Sequence, residues 1–126
     1  MARKATNRPT DAELAILRVL WRRGPSTVRE VHAELEQTGY TTALKQLQIM
    51  TEKGLVVRDE TDRAHVYAAG EPQELVQRGL VGDLMDRAFG GSASQLVLQA
   101  LSSRPASEAE LAQIRKLLDE LEGGRP

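Results

Sequence analysis

A chain of 126 residues, 40% apolar but only 3% aromatic, can bury one modest core built from Leu, Val, Ala and Met. The absence of cysteine excludes disulfides, thiolate metal sites and cysteine nucleophiles, and a net charge of −1 excludes binding to nucleic acid by bulk charge alone. The charge is uneven, however: residues 1–70 carry 11 Lys+Arg against 9 Asp+Glu, net +2, and residues 71–126 carry 6 against 9, net −3. The front half is therefore the half suited to face an anionic partner.

Residues 1–9 hold Arg3, Lys4 and Arg8 and no acid, and read as a flexible basic tail. Thr10 and Glu13 have the spacing of a capping box, in which each closes a free N–H of the other at a helix start. That predicts a first helix over Asp11–Arg23, with Leu14, Leu17, Val19, Leu20 and Trp21 as its apolar side and Trp21 in the core. Gly24-Pro25 ends it. Thr27 and Glu30 repeat the capping box and open a second helix that should reach Thr38, burying Val28, Val31 and Leu35. His32, beside that stripe, reads as a structural residue.

The next stretch, Tyr40–Lys53, predicts a third helix after a very short link. Thr41 and Thr42 are the expected N-cap residues, and Gly54 is placed to take the left-handed conformation at its end. Ala43, Leu47 and Met50 fall on one stripe. Lys45, Gln48, Ile49 and Glu52 fall on the other side. The first acid of this helix is Glu52. Hydroxyls, amides and one lysine before it suit a helix that enters a DNA major groove N-terminus first. The same pattern also fits an ordinary solvated helix face.

After Gly54 the period changes to two. Leu55–Arg58 and Ala64–Ala68 predict two strands about the polar turn Asp59–Arg63, with His65 and Tyr67 on one face and Val66 on the other. Arg58 and Arg63, at the base of this hairpin, are better placed for a nucleic-acid backbone than the acidic tip. Gly70-Glu71-Pro72 marks a boundary. Beyond it come helices over about 72–89 and Ala93–Ser102, and a third, opened by Ser107 and Glu110, that runs to Glu122. Leu96 and the seam Leu111, Ile114, Leu117, Leu118 and Leu121 exceed what three short helices can bury alone, so this region predicts a dimerisation element; the alternative is a helical extension packed on its own winged helix. The fold expected is mainly α with a small β-hairpin: residues 1–9 a tail, 10–70 a winged helix-turn-helix domain, and 71–126 a helical dimerisation region.

With these elements in place the chain resembles the BlaI/MecI/CopY family of transcriptional repressors, the penicillinase-repressor type. The likeness rests on Asp11-Ala12-Glu13-Leu14, Val19-Leu20-Trp21, Thr27-Val28-Arg29-Glu30-Val31, Tyr40-Thr41-Thr42, Glu52-Lys53-Gly54-Leu55-Val56 and Arg63-Ala64-His65-Val66-Tyr67. The resemblance implies a homodimer that represses from double-stranded operator DNA of dyad symmetry. It also implies a membrane metalloprotease partner that relieves repression by causing a cut in the C-terminal half. Two departures stand out. The copper-responsive branch has a cysteine-rich site that this chain lacks, and the Asn-Phe bond cut in the penicillinase branch is matched here by Gln99-Ala100.

Thr41, Thr42, Lys45, Gln46, Gln48, Ile49, Arg58 and Arg63 are accordingly the expected DNA-contacting residues. No cofactor or metal is expected. No run of apolar residues is long enough to insert in a membrane and no signal peptide is visible, so the expected location is cytoplasmic. No nucleophile–base arrangement points to an enzyme, and His32 and His65 lack ligand-like spacing. The alternative from another class is a winged helix that contacts protein and not DNA.

Overall fold

A computed structural model describes residues 8–124; Arg3 and Lys4 of the expected tail lie outside the described residues. The chain forms two compact units, one ending at Leu80 and the other beginning at Val81.

The first unit holds α1 (Asp11–Arg23), β1 (Ser26–Thr27), α2 (Val28–Glu34), α3 (Tyr40–Lys53), β2 (Val56–Asp59) and β3 (Val66–Ala69). This is a winged helix, as the periodicity indicated. Helix α1 has the bounds read from sequence, because its capping box forms in full: the Glu13 N–H donates to Thr10 Oγ1 at 3.2 Å, and the Thr10 N–H to Glu13 Oε1 at 2.9 Å. The Thr27–Glu30 box also forms. Ile16, Leu17, Val19 and Leu20 of α1 meet Val28 and Val31 of α2, Leu47 and Met50 of α3, and Leu55, Val56 and Tyr67 from the sheet side. The inner stripe of α3 is closed completely: Ala43, Leu47 and Met50 are each 0% exposed. Trp21, expected in the core, packs at its margin instead, with its indole N–H shielded and without a hydrogen-bond partner among the described residues.

Helix α2 is shorter than the sequence suggested. It stops at Glu34, because Leu35 leaves helical geometry (φ −104°, ψ 103°) while packing against the core, and its N–H donates to His32 O at 3.0 Å. The polar residues Glu36–Thr38 that would have extended the helix form the turn into α3. Both hairpin strands begin later than expected. His65 lies outside β3 and is exposed while Tyr67 is 1% exposed, so the two do not share a face environment.

A third strand, β1, was not legible. At two residues it is too short to show a period, and it exists through pairing: Ser26 opposes Tyr67 and Thr27 opposes Val66, giving the antiparallel order β1-β3-β2. Gly70 closes the sheet. Its N–H donates to Leu55 O at 2.8 Å, and a Cβ there would stand 2.6 Å from Gly54 O, so only glycine fits. Gly54 takes the expected left-handed conformation (φ 83°, ψ 8°) and ends α3.

The chain continues with α4 (Gln73–Ala88), within which the division between the units falls. The second unit adds α5 (Ala93–Ser103) and α6 (Glu108–Gly123). Ser92 caps α5, and the Ser107–Glu110 capping box opens α6. None of α4, α5 and α6 contains a buried residue. Leu117, Leu118 and Leu121 are each more than half exposed, and Leu96, Leu111 and Ile114 are half-buried.

One long-range ion pair ties the first unit together. Lys53 Nζ, at the end of α3, donates to Glu13 Oε1 at 2.9 Å and to Oε2 at 3.1 Å, and the Glu13 side chain is 3% exposed. Burial pushes the Glu13 carboxyl up, but the Lys53 hydrogen bond and charge and the Thr10 N–H together outweigh it and hold it below its ordinary value. A lowered folded pKa adds stability above the unfolded value, near pH 4.5, and that stability is lost as pH falls through the folded pKa. Glu13→Gln keeps an oxygen for the Thr10 N–H but removes the charge and turns the oxygen that accepts from Lys53 Nζ at 3.1 Å into an amide NH2. It should destabilise the protein by ~1–3 kcal/mol at neutral pH. In urea melts the difference from the parent should shrink as pH falls from neutral toward roughly pH 2.5. A pH-independent difference would show that the charge pair does not stabilise the fold.

Candidate nucleic-acid interface

The outward face of α3 is held at the surface by the closed stripe behind it. Thr41, Thr42, Lys45, Gln48, Ile49 and Glu52 are exposed there, and Ile49 is an apolar side chain left 36% open. Gln46 is half-buried on the flank. Thr41 and Thr42 are not the N-caps. The helix starts at Tyr40 with an extended Gly39 (φ −72°, ψ 160°) before it, and no side chain caps it. Glycine has no side-chain oxygen to offer, so the threonine hydroxyls stay on the first turn, beside N–H groups with no side-chain partner. The positive end of the helix dipole and those donors favour an anion there. Tyr40 is 46% exposed and stands edge-on to His32, with ring centroids 5.8 Å apart and planes at 82°.

The ion pairs of this unit sort its cations. Arg22 and Arg23 are engaged by Glu34 and Glu30, and Lys53 by Glu13. Arg58 is also engaged: its Nε and Nη2 donate to Glu60 Oε2 at 2.8 and 2.7 Å. The Tyr67 hydroxyl first, and then Glu60, raise the pKa of its guanidinium. Arg29, Lys45 and Arg63 have no carboxylate within ion-pair distance among the described residues. Arg18 likewise lacks one and lines a separate small hollow with Trp21, Arg22 and Gln73.

Arg29 and Arg63 line one groove of about 430 Å³ between the start of α2, the start of α3 and the wing, together with Tyr40 and His65. The sequence reading placed Arg63 at such a surface and missed Arg29. A signal for Arg29 was present: the capping box fixes it in the first turn of α2, and the positions three and four residues away are Pro25, Ser26, His32 and Ala33, none of them acidic. The wing tip, with Asp59, Glu60 and Asp62, stays acidic. Asp59 accepts from both the N–H and the hydroxyl of Thr61, contacts that lower its pKa. The Gln99-Ala100 pair lies in α5, with both residues exposed.

Three helices, a hairpin wing and an outward third helix flanked by unpaired cations define the class of winged helix-turn-helix regulators. The chain belongs to the penicillinase repressor family, whose sequence pattern matches residues 9–120. It is 35% identical over 118 residues to the transcriptional regulator BlaI of Mycobacterium tuberculosis, in each of two strains, covering 90% of this chain and 85% of that protein. It is 25% identical over 115 residues to the penicillinase repressor of Bacillus licheniformis, covering 88% of this chain and 89% of that one. Among the described residues no helix is long and apolar enough to cross a membrane.

Proposed function

We propose that this protein is a sequence-specific DNA-binding transcriptional repressor that acts as a homodimer on operators with dyad symmetry. The observation that carries the reading is the sorting of cations: those without carboxylate partners include Arg29, Lys45 and Arg63, on α2, α3 and the wing, around the exposed first turn of α3. The names of the relatives, a transcriptional regulator and a penicillinase repressor, support the same reading. In this reading residues 10–70 read DNA and residues 71–126 join two copies. Thr41, Thr42, Lys45, Gln48 and Ile49 face the major groove, with Gln46 on the flank. Arg29 and Arg63 meet the backbone. Lys45→Ala should cost about 1–3 kcal/mol on the operator and relax its sequence preference, whereas Arg29→Ala should weaken all duplexes alike and lower the salt slope by about 1 per subunit. Affinities unchanged in both variants on a selected operator would overturn this placement.

The dimer is supported by the apolar surface that a single copy leaves open, including Leu98, Leu117, Leu118 and Leu121, each more than half exposed. The full chain should sediment as a dimer at micromolar concentration. Leu117→Asp with Leu121→Asp should make it monomeric without lowering the melting of the first unit. Operator affinity should fall by at least ~100-fold, because two linked half-sites multiply effective concentration. A parent chain that sediments as a monomer contradicts the proposal.

Release by a membrane metalloprotease pathway completes the reading. A cut in α5 at or near Gln99-Ala100 would sever α6 and its seam and leave the DNA-reading unit intact. Mass spectrometry of protein from induced cells should find that cut; intact chains with the operator vacated would exclude it.

A further inference from the structure

The two arginines of the wing are in opposite states. Arg63 is exposed and without a carboxylate partner, whereas Arg58 is closed onto Glu60 two residues ahead. The closure is built rather than incidental. Arg58 is fixed in β2 opposite Tyr67 of β3. Glu60 is set by the turn that follows, where Asp59 Oδ1 accepts from Thr61 N–H.

The pair is nonetheless exchangeable. The Glu60 side chain is 55% exposed and that of Arg58 31%, so water screens the attraction, which contributes little to stability. Both donors, Nε and Nη2, meet a single oxygen, Oε2, rather than forming the parallel two-oxygen fork. The guanidinium has N–H groups to spare, and a phosphodiester offers two oxygens of the same charge.

We infer that Glu60 is a built-in stand-in for a DNA phosphate: it occupies Arg58 in the free protein, and Arg58 exchanges it for a backbone phosphate when the wing meets a duplex. The inference rests on the DNA-binding reading above. Each wing thereby gives up part of the sequence-independent affinity its arginines could supply. Engagement of Arg58 then requires Glu60 to turn away, so the wing grips only where phosphate displaces the carboxylate. The sequence-reading helix keeps a larger share of the discrimination.

A backbone contact needs no operator to be seen, so the probe is a random-sequence duplex of roughly 30 bp, titrated by fluorescence anisotropy from about 50 to 200 mM salt. With the full chain, Glu60→Gln should bind more tightly at low salt. Its slope of log affinity against log salt should stay near the parent's, because exchange places Arg58 on a phosphate in the parent complex too. Arg58→Gln should flatten that slope by about 0.9 per subunit, a ~3-fold smaller loss per subunit across that range. Made in the Arg58→Gln background, Glu60→Gln should raise affinity less than it does in the parent, and thermal melting checks that this background remains folded. An Arg58→Gln slope equal to the parent's overturns the exchange. An equal gain in affinity from Glu60→Gln in both backgrounds also overturns it, since Glu60 would then act by plain repulsion. If no variant and no parent chain binds duplex at the lowest salt, the DNA-binding reading itself fails.

Discussion

The ion pair between Glu13 and Lys53 joins the first turn of one helix to the last turn of another, 40 residues apart in sequence. It does so with a carboxylate that water scarcely reaches. A buried charge is tolerable only when its lone pairs are filled, and here a lysine and a backbone N–H fill them. The same carboxylate closes the capping box of α1, so one side chain both starts a helix and fixes where α3 ends. The inner stripe Ala43, Leu47 and Met50 fixes how α3 is rotated. Together they fix the axis and rotation of the one helix whose outer face, in the proposed reading, meets DNA with atomic registration.

Much of this was legible because it is written in short-range chemistry. Three capping boxes, Thr10–Glu13, Thr27–Glu30 and Ser107–Glu110, place helix starts by residue type and spacing, and all three form. The left-handed Gly54 was legible for the same reason. What was hidden depends on partners distant in sequence. The two-residue β1 exists only because β3 accepts it, and the role of Gly70 exists only because Gly54 O lies where a Cβ would be. The engagement of Arg58 by Glu60 needs the turn geometry as well as the spacing. Arg29 is the instructive omission. A cation in a capped first turn with no acid one turn away is readable from residue spacing, but its place beside the wing depends on how α2 packs.

The two units answer different physical problems. The first closes its own core and pairs four carboxylates, Glu13, Glu30, Glu34 and Glu60, with its own cations, while Arg29, Lys45 and Arg63 around α3 have no carboxylate partner among the described residues. A net charge of −1 is compatible with a nucleic-acid partner under that arrangement, because distribution rather than total decides the local field. In the second unit no helix closes an apolar side chain from water, and its leucines line an open seam. In the proposed reading a second copy of the chain is the surface of matching chemistry, and two-fold pairing would set two α3 helices at a fixed spacing on one duplex.

That spacing can be measured directly. Random-sequence duplex is selected with the full chain, and the enriched sites are then footprinted with hydroxyl radicals, so the regulated genes need not be identified first. A dimer that reads DNA with two α3 helices should enrich inverted repeats whose half-site centres lie a whole number of turns apart, about 10 bp each, with two symmetric protected patches on one face. Enrichment of single, unpaired half-sites, or no enrichment over the starting pool, would contradict it.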